Sequence, residues 1–170
     1  MLLGLDLDGV LCDIGPAVAA RIADRFGVAS HPATWRTYDL RLLRLGLPEA
    51  RFHAFLDETF ADTELYRAAP VADGAAAAVA TLVDAGWRLV GITARAPHLA
   101  AATTSWLEAH GLPLDEVHHT YVGGKAEVGR AIGVDATIED NPVEADLLAE
   151  VCQSWLLDRP YNRDHPLARA

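Results

Sequence analysis

Three aspartates stand close together near the start of the chain, at positions 6, 8 and 13 of the segment GLDLDGVLCD (residues 4–13). Asp6 and Asp8 follow an apolar run, and side chains two residues apart on an extended backbone point the same way. Carboxylates near a core are costly without partners, so the pair indicates a site that binds a cation or acts on a substrate. Gly9, directly after the pair, permits a sharp turn.

Three later segments bring further polar groups to the ends of apolar runs. GITAR leads to Thr93, YVGGK brings Lys125 to the start of a helix, and TIEDNP brings Glu139 and Asp140. Lys125 is the only lysine among 14 basic residues. Because the carboxyl ends of parallel strands meet at one edge of a sheet, we expect these groups and the first aspartates to form one site.

This set of residues suits phosphoryl transfer. Clustered carboxylates repel one another unless a cation binds, and oxygen ligands of this kind favour Mg²⁺ together with a substrate phosphate. Asp6 is the candidate nucleophile, and Asp8 is the candidate acid that protonates the leaving oxygen and then activates water. Thr93 and the backbone amide of Ala94 are candidates for binding phosphoryl oxygens, and Lys125 for balancing the charge of the transfer.

Alternating elements must position this site. Residues 2–7 indicate a buried parallel strand, and from residue 71 onward helices and strands alternate up to a last strand at QSWLLD (153–158). The alternation predicts an α/β fold with a doubly wound, Rossmann-like parallel sheet and a site at the carboxyl ends of its strands. Asp73 is the candidate N-cap of the first helix in this part of the chain.

Residues 14–70 interrupt the alternation. Two stretches in this segment have helical apolar periodicity, and seven of the twelve aromatic residues of the chain fall within it. Connections in doubly wound folds are usually much shorter. We therefore predict a small helical cap at 14–70, inserted after the first strand, and a core domain made of residues 1–13 and 71–170.

Candidate substrate contacts come from the cap and from two places on the same rim. Asp13 begins the hinge to the cap, and Trp35 and Tyr38 lie within the cap, with packing in the cap core as the alternative for the two aromatic residues. Arg95 follows the second motif, where an ion pair or a solvated position is the alternative to phosphate binding. The tail after the last strand adds three candidates for a phosphate or nucleotide contact: Arg159, Asn162 and Arg163.

Four motifs together carry a family resemblance. DLDGV, Thr93 in ITAR, Lys125 and the acidic pair in IEDNP resemble, in order and spacing, the motifs of the haloacid dehalogenase (HAD) superfamily of phosphatases. DLDGVLCD and GITAR are closest to its 5′(3′)-deoxyribonucleotidase-like branch, and the tail LLDRPYNR is similar to that of bacterial nucleotidases in this branch. The segment at 14–70 resembles the small helical cap of many members.

The resemblance implies roles for the acidic residues. Asp6 is expected as nucleophile and Asp8 as acid/base, with the backbone carbonyl of Asp8 as a further Mg²⁺ ligand. Glu139 and Asp140 stand where many relatives have two aspartates. We assign Asp140 to the metal, together with Asp6 and Asp8, and place Glu139 next to the metal ligands, with Glu139 as the alternative ligand.

The expected activity is Mg²⁺-dependent hydrolysis of a small phosphomonoester through an aspartyl-phosphate intermediate, and the resemblance favours a nucleoside 5′-monophosphate. A phosphatase of sugar or other organic phosphates would use the same site. A carbon–halogen hydrolase does not need the acid at Asp8. The alternatives of another class are a receiver-like signalling domain, in which the order of the acidic pair and the lysine differs, and a catalytically silent module that binds a phospho-ligand.

Composition limits the partners. The net charge of −10 and the pI near 5.0 argue against binding to a nucleic-acid polymer. No secretory signal and no unbroken apolar stretch of roughly 18 residues is visible, so we expect a cytoplasmic protein without membrane contact. Cys12 and Cys152 are too few and too distant to indicate a disulfide framework. The oligomeric state, monomer or homo-oligomer, stays open.

Overall fold

The computed structural model describes residues 1–169, which fold around one five-stranded sheet. The strands are β1 Leu2–Leu5, β2 Arg88–Thr93, β3 Glu116–His119, β4 Ala136–Glu139 and β5 Gln153–Leu156. Their order in the sheet is β3-β2-β1-β4-β5, and every neighbouring pair is parallel. The chain therefore winds outward in both directions from β1, and the predicted doubly wound α/β fold is confirmed.

Helices flank the sheet and fill the segment after β1. They are α1 Gly15–Phe26, α2 Glu49–Ala61, α3 Thr63–Arg67, α4 Ala75–Asp84, α5 Ala100–Ala109, α6 Lys125–Ile132 and α7 Pro142–Ala149. Helix α4 precedes β2 in the chain, and α5, α6 and α7 each lie between two successive strands. This order is the alternation predicted from residue 71 onward. Within residues 1–169, no helix has the length and apolar character needed to cross a membrane.

The central strand β1 is shorter than its predicted span of 2–7. It ends at Leu5 because the carbonyl of Leu7 accepts hydrogen bonds from the amides of Leu11 (2.8 Å) and Cys12 (2.9 Å), which turns the chain. Gly9 lies in this turn with a φ of 84°, a conformation that favours glycine. The two aspartates thus stand on the turn that leaves the strand, above the apolar core.

The helical insert, residues 14–70, has an apolar cluster of its own. In it the rings of Phe26 and Phe55 meet edge to face with 5.1 Å between their centroids, and Phe52 stacks on Phe55 at 6.3 Å. Helix α1 ends at Phe26, and Gly27 (φ 68°) follows it as the C-cap. The buried members of this cluster are Val18, Ala19, Ile22, Trp35, Phe52, Phe55, Leu56, Leu65, Tyr66 and, from outside the insert, Leu99.

The predicted N-cap of α4 is wrong. Gly74, not Asp73, occupies this position, and no side chain caps the helix. Gly74 has a φ of 79°, which a residue with a side chain adopts at a cost, so the turn before α4 selects glycine for the cap position.

Candidate active site

The carboxyl ends of the central strands meet at one rim of the sheet. Asp6 directly follows β1, Thr93 ends β2, Glu139 ends β4, and Lys125 begins α6. Next to this rim lies a cavity of about 1270 Å³ whose wall combines Asp6, Thr93 and Lys125 with side chains of the helical insert. The residues that the sequence placed on four separate segments are therefore brought together beside one cavity.

Lys125 forms the centre of the first group of charges. Its Nζ lies 2.8 Å from Oδ1 of Asp6 and 2.6 Å from Oε1 of Glu139, and all three side chains are buried. Burial alone would lower the pKa of Lys125, but the charges of Asp6 and Glu139 raise it above its usual value. Burial raises the pKa of Asp6, although the charge of Lys125 acts in the opposite direction. Burial also raises the pKa of Glu139, well above its usual range. Lys125 therefore stays a cation shared by two carboxylates.

Asp140 completes an acidic cluster next to this lysine. Ligand oxygens of Asp6, Glu139 and Asp140 lie within 4.8 Å of one another. Oδ1 of Asp140 and Oε2 of Glu139 are buried without a hydrogen-bond partner. Burial, and after it the charge of Asp6, raises the pKa of Asp140 to about 7. Three carboxylates thus lie near one ammonium group. The oxygens without a partner are of the kind that bind a hard cation such as Mg²⁺.

Asp8 belongs to a second group of charges, centred on Arg95. Nε of Arg95 lies 3.0 Å from Oδ2 of Asp8, and Nη2 lies 2.7 Å from Oδ1, so the guanidinium holds both oxygens. Arg95 also donates to Thr103 Oγ1 (3.1 Å) and stacks 4.4 Å over the ring of Tyr66, and the Cys12 thiol donates to Asp8 (3.1 Å). Of the alternatives for Arg95, the ion pair is the one present. Asp8 still lines the cavity, with 25% of its side chain exposed.

Thr93 and Ala94 lie between these two groups. The Thr93 side chain is buried, and its Oγ1 accepts the backbone amide of Arg95 at 3.2 Å. Both residues line the cavity, as does Lys125. The hydroxyl and the backbone after β2 thus border the part of the cavity next to Asp6.

The tail after β5 contributes a residue that the sequence analysis missed. The Tyr161 hydroxyl donates to Oδ2 of Asp140. Arg159 donates through Nε to the carbonyl of Gly9 (2.9 Å), and Asn162 donates through Nδ2 to the carbonyl of Asp140 (2.8 Å). The signal in the sequence was the polar stretch RPYNR directly after a strand that ends at the same rim, but it does not say which of its side chains reaches the site.

The remaining candidates lie at different distances from these charges. Asp13 is exposed at the start of α1 and lines the cavity, and Trp35 lines it too while packing in the insert core. Tyr38, 37% exposed, lines the cavity with its ring 5.9 Å from that of Tyr161. Arg163 lies outside the cavity, exposed beside an aspartate of its own tail.

Several solved structures of other proteins share this fold. A HAD family hydrolase from Deinococcus radiodurans with bound phosphate and sodium has a TM-score of 0.60 at 19% identity, covering 94% of this chain and 83% of that one. CbbY from Rhodobacter sphaeroides in complex with phosphate has a TM-score of 0.54 at 18% identity, covering 99% and 91%. At these identities the likeness establishes the fold, which is that of HAD hydrolases.

Sequence comparison defines the family within this class. Residues 1–170 match the family described as 5′ nucleotidase, deoxy (pyrimidine), cytosolic type C protein (NT5C). Over 167 residues the chain is 30% identical to "Putative nucleotidase BH1399" of Halalkalibacterium halodurans, covering 94% of this chain and 80% of that protein. The chain belongs to the NT5C family and is a phosphoric monoester hydrolase of the 5′-nucleotidase type. The resemblance stated from four motifs is confirmed.

Proposed function

We propose that this protein is a Mg²⁺-dependent phosphomonoesterase that hydrolyses a nucleoside 5′-monophosphate through an aspartyl-phosphate intermediate. The observation that carries the proposal is the buried cluster of Asp6, Lys125, Glu139 and Asp140 beside a cavity of about 1270 Å³. Small-molecule sites usually occupy roughly 300–1,000 Å³, so the cavity has room for a nucleotide.

The donor set fits a divalent cation. Asp6 and Asp140, with the backbone carbonyl of Asp8, are the proposed Mg²⁺ ligands, because Oδ1 of Asp140 is buried and unpartnered. One carboxylate oxygen of Glu139 accepts a hydrogen bond from Lys125. We therefore place Glu139 next to the metal ligands and not among them. When bound, Mg²⁺ supplies positive charge next to the phosphate and so lets an acidic cavity take an anionic substrate.

The side chains then divide the reaction into two steps. A carboxylate oxygen of Asp6 attacks phosphorus, the bond from phosphorus to the ester oxygen breaks, and Asp8 gives that oxygen a proton, which releases the alcohol. In the second step Asp8 takes a proton from water, the water oxygen attacks phosphorus, and the bond to Asp6 breaks, which releases phosphate and restores the carboxylate. Lys125, 2.8 Å from Asp6, offsets the negative charge that develops.

Asp8 needs to change partners for this role. Arg95 holds both oxygens of the Asp8 carboxylate, so Asp8 must leave this ion pair and take up a proton from the solvent before it gives that proton to the leaving oxygen. Its exposed fraction faces the cavity, which gives it room to turn. We propose that the entering substrate contacts Arg95 or Asp8 and thereby separates the two side chains, which frees Asp8.

The substrate assignment draws on the family and on the cavity wall. The NT5C family is described by its nucleotidase activity, and the wall contains aromatic side chains of the insert, among them Trp35 and Tyr38. Aromatic side chains bind the flat face of a nucleobase well. We propose that residues 14–70 act as a cap over this substrate on a core of 1–13 and 71–170. A cytoplasmic location and the exclusion of nucleic-acid polymers stay predictions from composition.

Phosphate release tests the proposal. The panel consists of nucleoside monophosphates, sugar phosphates and a generic aryl phosphate, each with Mg²⁺ and with chelator, for wild type, Asp6→Asn and the control Asp84→Asn, an exposed aspartate that ends α4. We expect Mg²⁺-dependent release that favours nucleotides, falls at least about 1,000-fold in Asp6→Asn and is unchanged in Asp84→Asn.

Three other results would change the assignment. Faster release from sugar phosphates than from nucleotides would keep the reaction and replace the substrate. No release from any compound with Mg²⁺ present would overturn the phosphatase proposal in favour of a silent phospho-ligand binding module. Equal activity of Asp6→Asn and wild type would remove Asp6 as nucleophile.

A further inference from the structure

We propose that Tyr161 is a positioning residue that fixes the carboxylate of Asp140 and thereby makes the metal site prefer Mg²⁺ to Ca²⁺. The inference rests on the proposed function, because it takes Asp140 as a metal ligand. Tyr161 lies on the tail after β5, outside the four motifs that place the other residues of the site.

The two oxygens of Asp140 have different surroundings. Oδ2 accepts the Tyr161 hydroxyl and also lies against Gly9, where a Cβ atom would be only 1.9 Å from it. Oδ1 is buried and has no hydrogen-bond partner. One oxygen is therefore enclosed by the protein, and the other is left to bind a cation.

The tail is held on both sides of Tyr161. Nε of Arg159 donates to the carbonyl of Gly9 at 2.9 Å, and the Asn162 side chain donates to the carbonyls of Asp140 (2.8 Å) and Leu157 (2.9 Å). Oδ1 of Asn162 accepts the backbone amide of Arg159 at 2.8 Å. These contacts place the Tyr161 hydroxyl without help from the carboxylate that it contacts.

The hydroxyl of Tyr161 is the donor and the carboxylate of Asp140 the acceptor in the hydrogen bond between them. A neutral hydroxyl beside a carboxylate makes a charge-assisted hydrogen bond, which is stronger than a bond between neutral groups. The carboxylate of Asp140 is thus restrained from rotating about its Cβ–Cγ bond.

Restraint of this carboxylate affects the two cations differently. Mg²⁺ takes six oxygen ligands in near-ideal octahedral geometry, usually one oxygen from each carboxylate, whereas Ca²⁺ takes six to eight and accepts both oxygens of one carboxylate. A carboxylate with one available oxygen suits Mg²⁺. Without the Tyr161 hydroxyl, Asp140 can turn and offer both oxygens, which improves the site for Ca²⁺.

Direct metal binding tests the inference. Bound Mn²⁺ is measured from the loss of the electron paramagnetic resonance signal of the free ion, and Mg²⁺ and Ca²⁺ are measured by displacement. The variant is Tyr161→Phe, which removes only the hydroxyl. Tyr121→Phe is the matched control, because Tyr121 is 64% exposed and its hydroxyl lies 3.4 Å from Oε2 of Glu127.

We expect the ratio of the Ca²⁺ to the Mg²⁺ dissociation constant to fall about tenfold in Tyr161→Phe, about 1.4 kcal/mol, and to stay at the wild-type value in Tyr121→Phe. Asn162→Ala, which loosens the tail at a second point, is expected to shift the ratio in the same direction by a smaller factor. A merely structural role of Tyr161 would weaken both cations alike and leave the ratio unchanged.

An unchanged ratio in both Tyr161→Phe and Asn162→Ala, with wild-type circular dichroism in either, would overturn the inference while the proposed function stands. Wild-type protein that binds neither Mn²⁺ nor Mg²⁺ would overturn the inference together with the metal dependence of the proposed function. Phosphate release that continues under chelator would then identify a metal-independent phosphatase.

Discussion

Two buried cation–carboxylate centres lie at the same rim of the sheet and differ in how completely their charges are paired. Arg95 satisfies both oxygens of Asp8 and donates to Thr103 as well. Lys125 binds one oxygen each of Asp6 and Glu139, and oxygens in its cluster remain without a partner. The arginine centre is complete by itself, and the lysine centre is not.

The chemistry of the two cations explains the difference. The planar guanidinium matches the two oxygens of one carboxylate, while an ammonium group is a point charge that several carboxylates share. With Asp140, the lysine centre has three acids for one cation. We propose that a second cation and a phosphate bind there, whereas Arg95 keeps Asp8 in an ion pair until the substrate enters. Substitutions at and near the two centres test this contrast.

Lys125→Met is expected to be the most damaging change. It leaves Asp6 and Glu139 buried without their cation, so the free energy of unfolding should fall by about 3–5 kcal/mol, and phosphate release should be lost. Urea denaturation at pH 8 with chelator measures the first effect. Since Mg²⁺ supplies positive charge to the same carboxylates, it should restore part of the stability. Wild-type stability in the variant would contradict an incomplete lysine centre.

Arg95→Met should cost less, about 1–3 kcal/mol. Asp8 keeps 25% of its side chain exposed, so water hydrates part of the carboxylate that the guanidinium leaves. The same urea titration measures the loss, and Arg88→Met at the surface pair with Asp115 is the control, expected to cost about 0–1 kcal/mol. A loss as large as that of Lys125→Met would remove the distinction between the two centres.

Stability should also depend on pH through the lysine centre. The pKa of Asp140 is raised to about 7 from an ordinary 3.8, so the folded protein binds more protons than the unfolded chain between these values. Its contribution is fully present below the ordinary pKa and is lost as the pH rises through 7. Without metal, the midpoint of thermal unfolding should therefore fall between pH 5 and pH 8.

Two controls isolate this effect. Mg²⁺ is expected to bind the ionised carboxylates and to stabilise the protein most at pH 8. It should therefore reduce the fall of the unfolding midpoint between pH 5 and pH 8. Asp140→Asn should reduce it as well, because the substituted group does not titrate. A fall of equal size in wild type and Asp140→Asn would assign the pH dependence to other groups.

Tyr38→Leu is expected to have the smallest effect. Its ring meets that of Tyr161 at 5.9 Å, a contact worth about 0.5–1.5 kcal/mol. Because the ring lines the cavity from the insert, KM for nucleoside monophosphates should rise about threefold, about 0.7 kcal/mol, while KM for an aryl phosphate stays unchanged. Equal changes for both substrates, or the same change in Tyr121→Leu, would indicate altered folding instead of lost base contact.

The order and type of the main elements follow from the sequence alone, whereas the end of β1 and the N-cap of α4 do not. The alternation from residue 71 onward and the helical periodicity of the insert both have counterparts in the structure. Apolar periodicity encodes which face of each element is buried, and parallel strands bring their carboxyl ends to one edge. For this reason the spacing along the chain is enough to assign Asp6, Thr93, Lys125 and Glu139 to one site.

The partner of each charged group depends on tertiary packing. Arg95 pairs with Asp8 across 87 positions, and Tyr161 reaches Asp140 from a tail whose sequence indicates no target. The close approach of Asp140 to Gly9 and the choice of Gly74 over Asp73 at a helix cap likewise depend on backbone angles. Such contacts depend on how far each side chain reaches and on local φ values in the packed structure. The apolar pattern along the chain encodes neither of these.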